Sequence, residues 1–299
     1  KNTLPLTGHM AVSTLISAQW LRQLMLQSPK YLRIVDASWH LPKENRDPRK
    51  EFLTHRIPGA KFFDLDECID KTSHYEHMLP NAEDFSNYVQ SLGIDNDSYV
   101  IVYDNNEKSG LFSSPRLWWM MRAFGHERVS ILDGGFPKWH AEGYPIETGP
   151  DNKSKVEDGG PFKVTLNTGM FCDFDFVKAN TSQATCHVAD ARSSGRFHGT
   201  EPEPRPNFPS GHIPGSRSVP YSQCLDPDTK LMKTPEELKK VFEDAGIDLK
   251  KPLITSCGSG ITSCVVALAS YLCGKRDTMV FDGSWVEWCQ RATDMIEKS

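Results

Sequence analysis

The stretch "EFLTHRIPGAKFF" (51–63) returns, altered, as "NFPSGHIPGSRSV" (207–219). Phe52, Ile57, Pro58 and Gly59 align with Phe208, Ile213, Pro214 and Gly215. Three more pairs follow in the same order: "IVDASW" (34–39) with "VADARS" (188–193), "SYVIVYD" (98–104) with "KPLITSC" (251–257), and "ILDGGFPKW" (131–139) with "VFDGSWVEW" (280–288). Four ordered anchors with slightly drifting offsets mark a duplicated domain. A period this long describes two similar domains and not a solenoid.

Within each half, short β-branched runs alternate with longer helical patterns. "YLRIVDAS" and "SYVIVYD" read as strands; "SAQWLRQLMLQ", "NAEDFSNYVQSLG" and "TPEELKKVFEDAG" read as helices. The last has Thr234 as N-cap, Pro235 in the first turn and Gly246 at its end. This alternation predicts an α/β fold of two tandem domains, each a mainly parallel sheet flanked by helices. The expected boundaries are 10–146 and 162–293, joined by the polar, Gly- and Pro-rich linker 147–161. The opening "KNTLPLTGHM" reads as an expression remnant leading into an initiator Met10, with no signal peptide.

The composition excludes several classes. The 299 residues carry a net charge of −5, with 34 Lys and Arg against 39 Asp and Glu. Nothing in that balance points to nucleic acid or a membrane surface as partner. No apolar run is long enough to span a bilayer. The 8 cysteines are dispersed without CxxC pairs, a pattern of reduced, intracellular thiols. Paired zinc-ligand spacing is missing, so neither metal nor cofactor is expected.

Ligands of parallel sheets bind beyond the strands' carboxyl ends, where Asp104 and Cys257 fall. After Cys257 the chain runs Gly258, Ser259, Gly260, Ile261, Thr262 into the apolar helix "SCVVALASYLCG" (263–274). Glycines permit a tight bend whose amides point inward. Those donors and the helix N-terminus would stabilise a thiolate. Three chemistries use such a cysteine. A Cys-x5-Arg phosphatase needs an arginine where Ser263 stands, and a thiol peptidase has no need of the bend. A sulfurtransferase needs a ring of donors to hold a persulfide. The bland alternative is a structural cysteine beside a glycine turn.

Together with these motifs, "FFDLDECIDKTSHYEHMLP" (62–80), "SSPRLWWMMRAFGH" (113–126), "GRFHGTEPEPR" (195–205), "GHIPGS" (211–216), "CGSGIT" (257–262) and "DGSWVEW" (282–288) resemble the two-domain rhodanese superfamily. The resemblance implies a catalytic second half with Cys257 as nucleophile and a degenerate first half, matching Asp104. It implies Arg196 and Arg205 as substrate-binding residues, with Gly258, Gly260, Ile261 and Thr262 lining the loop, and Ser259, His77 and Asp66 as acid–base helpers. It further implies a persulfide-forming transferase, acting in cysteine catabolism, that passes sulfur to thioredoxin or other small thiols, or to cyanide, with release of hydrogen sulfide in the cytoplasm or mitochondrion.

The neutral Gly258 and Ser259 favour 3-mercaptopyruvate as donor, because thiosulfate's dianion is served by cations directly after the cysteine. Arg196 and Arg205 would then grip the carboxylate and keto oxygen through forked hydrogen bonds. A thiosulfate:cyanide sulfurtransferase and a non-catalytic rhodanese-like binding module are the alternatives. Surface pairing with Glu201 and Glu203 competes as an explanation of the two arginines, an ordinary loop histidine as that of His77, and a solvated charge as that of Asp66. Trp118 and Trp119 are expected in the core or domain interface, Arg116 and Arg122 as interface charges without a functional case, and Asp133 and Asp282 as turn formers. Cys264 is expected buried and unpaired, and no redox switch through Cys273 is expected.

Overall fold

The computed structural model describes residues 12–150 and 160–299. The opening stretch with Met10, and most of the segment read as a linker at 147–161, lie outside them. The first half contains β1 (Leu15–Ile16), α1 (Ala18–Leu26), β2 (Leu32–Asp36), α2 (Pro48–Thr54), β3 (Lys61–Phe62), α3 (Ala82–Ser91), β4 (Tyr99–Tyr103), α4 (Ser114–Ala123), β5 (Val129–Leu132) and α5 (Gly135–Ala141). The second contains β6 (Phe171–Cys172), α6 (Phe174–Gln183), β7 (His187–Asp190), α7 (Ser194–His198), β8 (Arg217–Ser218), α8 (Pro235–Asp244), β9 (Leu253–Ser256), α9 (Ser263–Leu272), β10 (Met279–Phe281) and α10 (Ser284–Arg291).

The sheets run β1-β5-β4-β2-β3 and β6-β10-β9-β7-β8. Adding five to each strand number converts one order into the other, so the duplication seen in sequence is a duplication of topology. Every pairing is parallel. The middle strands β4 and β9 are buried along their whole length, as parallel strands covered on both faces must be.

Local chemistry sets the helix ends. Ser17 caps α1 by accepting from the Trp20 amide, and Thr234 with Glu237 forms a full capping box on α8, satisfying amides that have no partner within the helix. Two helices lack a wet face. In α4 every residue but Arg122 is buried, and α9 is buried from Ser263 to Ser270. A helix that is apolar all round must be covered all round, and these two pack against each other where the halves meet. One apolar core consequently crosses from Val35 and Val102 to Ala189 and Leu253. Trp118 packs edge-on against Tyr271 across this boundary, 5.2 Å between ring centres, while Arg122 lies over both rings.

Candidate active site

Cys257 is the first residue after β9, 1% exposed. Its backbone amide donates to Ser284 Oγ at 3.2 Å, and its carbonyl accepts from the Trp285 amide at 3.0 Å. The cysteine is thus anchored from behind by the start of α10. Its sulfur accepts from the Gly260 amide at 3.2 Å and lies 3.6 Å from Ser263 Oγ. Burial alone would push this thiol up; the hydroxyls of Thr262 and Ser263 and the amides of Ser263 and Ser259 outweigh it and hold the thiol below its ordinary range. Burial wins at the other shifted cysteines. Cys68, Cys224 and Cys264 are pushed up to about 12, and Cys273 and Cys289 to about 11. Donors around a buried sulfur, and not burial itself, set Cys257 apart.

The bend is built around guanidinium groups. A Cβ on Gly258 would lie 3.1 Å from Arg196 Nη2 and 3.4 Å from Arg205 Nη1. Gly260 has φ +86°, and a Cβ there would lie 2.9 Å from Arg116 Nη1. Ile261 fills the wall at 2% exposure, and Thr262 precedes α9 with its hydroxyl engaging the sulfur instead of capping the helix.

Arg196 stands on the one-turn helix α7 and not in the Pro-rich loop that carries Arg205. Its Nη2 donates to Glu203 at 2.6 Å, and Arg192, itself bound to Asp190, holds that carboxylate from the other side. Glu201 instead accepts from the Ser193 hydroxyl. Arg205 pairs with Glu76, a residue of the first half, and donates to Ser259 Oγ at 3.2 Å.

A hydrogen-bonded line crosses between the halves. Ser259 Oγ is 2.9 Å from His77 Nδ1, and His77 Nε2 is 2.9 Å from Asp66 Oδ1. His77 is buried in left-handed backbone, φ +60°. Burial pushes Asp66 up, but the hydrogen bond and charge of His77 and the Trp39 indole N–H outweigh it and leave the carboxyl below its usual range. Trp39 also stands edge-on to His77, 5.0 Å between ring centres. Cys257, Ser259, His77, Asp66, Arg196 and Arg205 therefore fall in one region. The sulfur lies at the floor of a cleft of about 540 Å³ walled by Arg196, Arg205, Tyr221, Trp39 and Phe112.

Two residues escaped the sequence reading, and three others do more than it gave them. Trp39 and Glu76 hold Asp66 and Arg205. Asp282 and Asp133 were read as turn formers, yet Asp282 Oδ2 accepts from the Leu79 amide at 2.7 Å and Asp133 Oδ1 from the Met232 amide at 2.9 Å, each across the boundary. Arg116 is likewise more than an interface charge. Cys264 is buried and all cysteines are free. Among the described residues no cluster of His, Cys, Asp and Glu is arranged to hold a metal ion, and no helix is long and apolar enough to cross a membrane.

Comparison with known proteins places these features in a family. The model of the rhodanese-like domain matches twice, at residues 17–142 and 174–291. The mouse 3-mercaptopyruvate sulfurtransferase is 46% identical over 280 residues, 93% of this chain and 92% of its own. A rat thiosulfate sulfurtransferase is 45% identical over 282 residues, with the same shares covered. Among solved structures, the 3-mercaptopyruvate sulfotransferase SseA of Escherichia coli superposes with a TM-score of 0.80 at 34% identity, covering 92% of this chain and 99% of its own.

Proposed function

The chain belongs to the rhodanese family, and on that premise we propose that it is a 3-mercaptopyruvate sulfurtransferase working through a persulfide on Cys257. The thiolate attacks the sulfur of 3-mercaptopyruvate. The carbon–sulfur bond breaks, and its electron pair stays with the pyruvate fragment as an enolate. Arg196 and Arg205 hold the carboxylate and the keto oxygen on which charge builds. Ser259, His77 and Asp66 take the proton of the donor thiol and return one to the enolate carbon. The outer sulfur then passes to an acceptor thiol. With a dithiol such as thioredoxin, the second thiol displaces sulfide and a disulfide forms. The cytoplasm or the mitochondrion, where small dithiols are kept reduced, suits this chemistry.

Identity does not choose the donor, since mouse and rat relatives of both kinds match almost equally. One observation supports 3-mercaptopyruvate: the Ser259–His77–Asp66 line reaches the loop beside the sulfur. Sulfite leaves thiosulfate as a stable anion and needs no proton, whereas an enolate must be protonated. The neutral Gly258 and Ser259 point the same way. A role in binding alone is disfavoured by the intact bend and the lowered thiol.

The test is intact mass after incubation with 3-mercaptopyruvate. A gain of one sulfur atom that disappears in Cys257→Ser supports the reading. Equal or greater kcat/KM with thiosulfate would transfer the assignment to the alternative donor.

A further inference from the structure

We propose that Arg116, from the first half, is a positioning residue for the reacting thiol: its guanidinium pins the Gly260 carbonyl and so fixes the residue whose amide donates to the sulfur. The side chain is 1% exposed. Nη1 donates to Gly260 O at 3.1 Å and to Asp282 Oδ1 at 2.8 Å, and Nη2 donates to His77 O. The guanidinium also lies over the Trp119 ring, 4.6 Å from its centre, which fixes the plane of the fork.

One planar cation thus joins the bend after Cys257, the segment carrying His77 and the turn after β10. In a trans peptide the N–H points opposite to the C=O. A Gly260 carbonyl held by Arg116 therefore fixes the peptide that follows Gly260, and with it the torsions of the residue whose own amide donates to the Cys257 sulfur at 3.2 Å. Any residue larger than glycine would strike Arg116 Nη1 and the Asp282 carbonyl, both 2.9 Å from the Cβ position, besides straining φ +86°. The glycine and the arginine form one device: the missing side chain is the space the cation occupies. A lysine could not replace it, because a single ammonium on a flexible stem cannot span three acceptors in one plane.

The groups facing Cys257 are few. Arg196 and Arg205 approach from the cleft, and His77 lies behind Ser259. Arg116 with Asp282 backs the bend, and the neutral Cys264 thiol donates to Gly260 O at 3.4 Å. Since Arg116 is paired with Asp282, its role is mainly orientation and only secondarily charge. The proposal rests on Cys257 being the reacting thiol.

The experiment follows alkylation of Cys257 by iodoacetamide against pH in the full two-domain chain, with the modified peptide identified by mass. It is paired with single-turnover persulfide formation from 3-mercaptopyruvate. Arg116→Met is expected to raise the alkylation midpoint by about one pH unit. It should slow persulfide formation about 10–100-fold while donor KM stays within about threefold. Arg116→Lys keeps the charge and is expected to recover less than about half of that loss. A folded Arg116→Met chain with unchanged midpoint and rate overturns the proposal, whatever happens to its Tm. So does an Arg116→Lys chain indistinguishable from wild type, which decides the matter if the methionine variant does not fold. Alkylation needs no turnover. A shifted midpoint in a chain that moves no sulfur would support Arg116 and sink the sulfurtransferase reading.

Discussion

Asp104 and Cys257 occupy the same place in the two sheets, each directly after the middle strand, and use the loop that follows in opposite ways. Asp104 Oδ2 accepts from the amides of Phe112, Ser113 and Ser114 at 3.0, 2.8 and 2.6 Å. The first half has kept an anion-binding bend and filled it with its own carboxylate. In the second half the corresponding place holds a sulfur that opens on a cleft. Asp104→Ala would orphan three buried amides, at about 1–3 kcal/mol each as an upper range. Urea unfolding should show a loss of several kcal/mol, and Asp104→Asn a smaller one. Sulfur transfer per folded molecule should fall far less than in variants of Cys257 or the cleft arginines, because Asp104 bonds none of them and meets the cleft wall only through the Phe112 amide.

Removing members of the proton line should separate the two donors. His77→Gln and Ser259→Ala are expected to lower kcat with 3-mercaptopyruvate by about 10²–10⁴, the usual range for a lost general acid or base. Asp66→Asn, one step removed, should cost less. Rates with thiosulfate should change far less in all three. Equal losses with both donors would mean that these residues shape the loop and do not move protons.

The two cleft arginines should behave as substrate clamps. Arg196→Lys and Arg205→Lys each forfeit a forked contact, about 1.5–3 kcal/mol, which should appear as a rise in donor KM of about tenfold or more. Glu76→Gln should produce a weaker effect of the same kind, because it frees Arg205. Steady-state kinetics with 3-mercaptopyruvate checks all three.

Asp36 makes the first half sensitive to pH. It is fully buried, and burial, helped by the nearby Asp104 charge, raises its carboxyl to about 7 against the pull of Ser38. The folded chain then holds a proton that the unfolded chain releases near 3.8. Stability from this group is present at low pH and falls as pH rises from about 4 to about 7. Asp36→Asn is expected to flatten that slope and to raise Tm at pH 8. An unchanged slope in thermal unfolding between those limits would contradict the assignment.

Much of the architecture was legible because it is written locally. The β-branched runs around Val35 and Val102, the Thr234 cap and the twofold return of "IPG" are short-range signals, and the duplication turned each into two. The edge strands β1, β3, β6 and β8 are two residues long and are made by their neighbours, so no periodicity announces them. Cys257 was legible for the same local reason: its bend is continuous in sequence. Arg116 was not, since its acceptors are Gly260 and Asp282, far along the chain. A signal existed nonetheless. An arginine inside "SPRLWWMM", where all else is buried, must find partners, because an unpaired charge cannot stay in a core. Asp133 and Asp282 do make turns, but the turn residues also carry carboxylates that reach into the other half.

The packing of α4 on α9 has a mechanical consequence. His77 and Arg116 travel with the first half, while Ser259 and Cys257 travel with the second. A small rotation about that helix pair would swing the imidazole off the serine and loosen the fork behind the sulfur in a single movement. The large apolar side chains of this seam, distant from any reacting atom, therefore set the alignment on which the chemistry depends. The half that carries an aspartate at the cysteine's place serves as the jig that keeps its twin true.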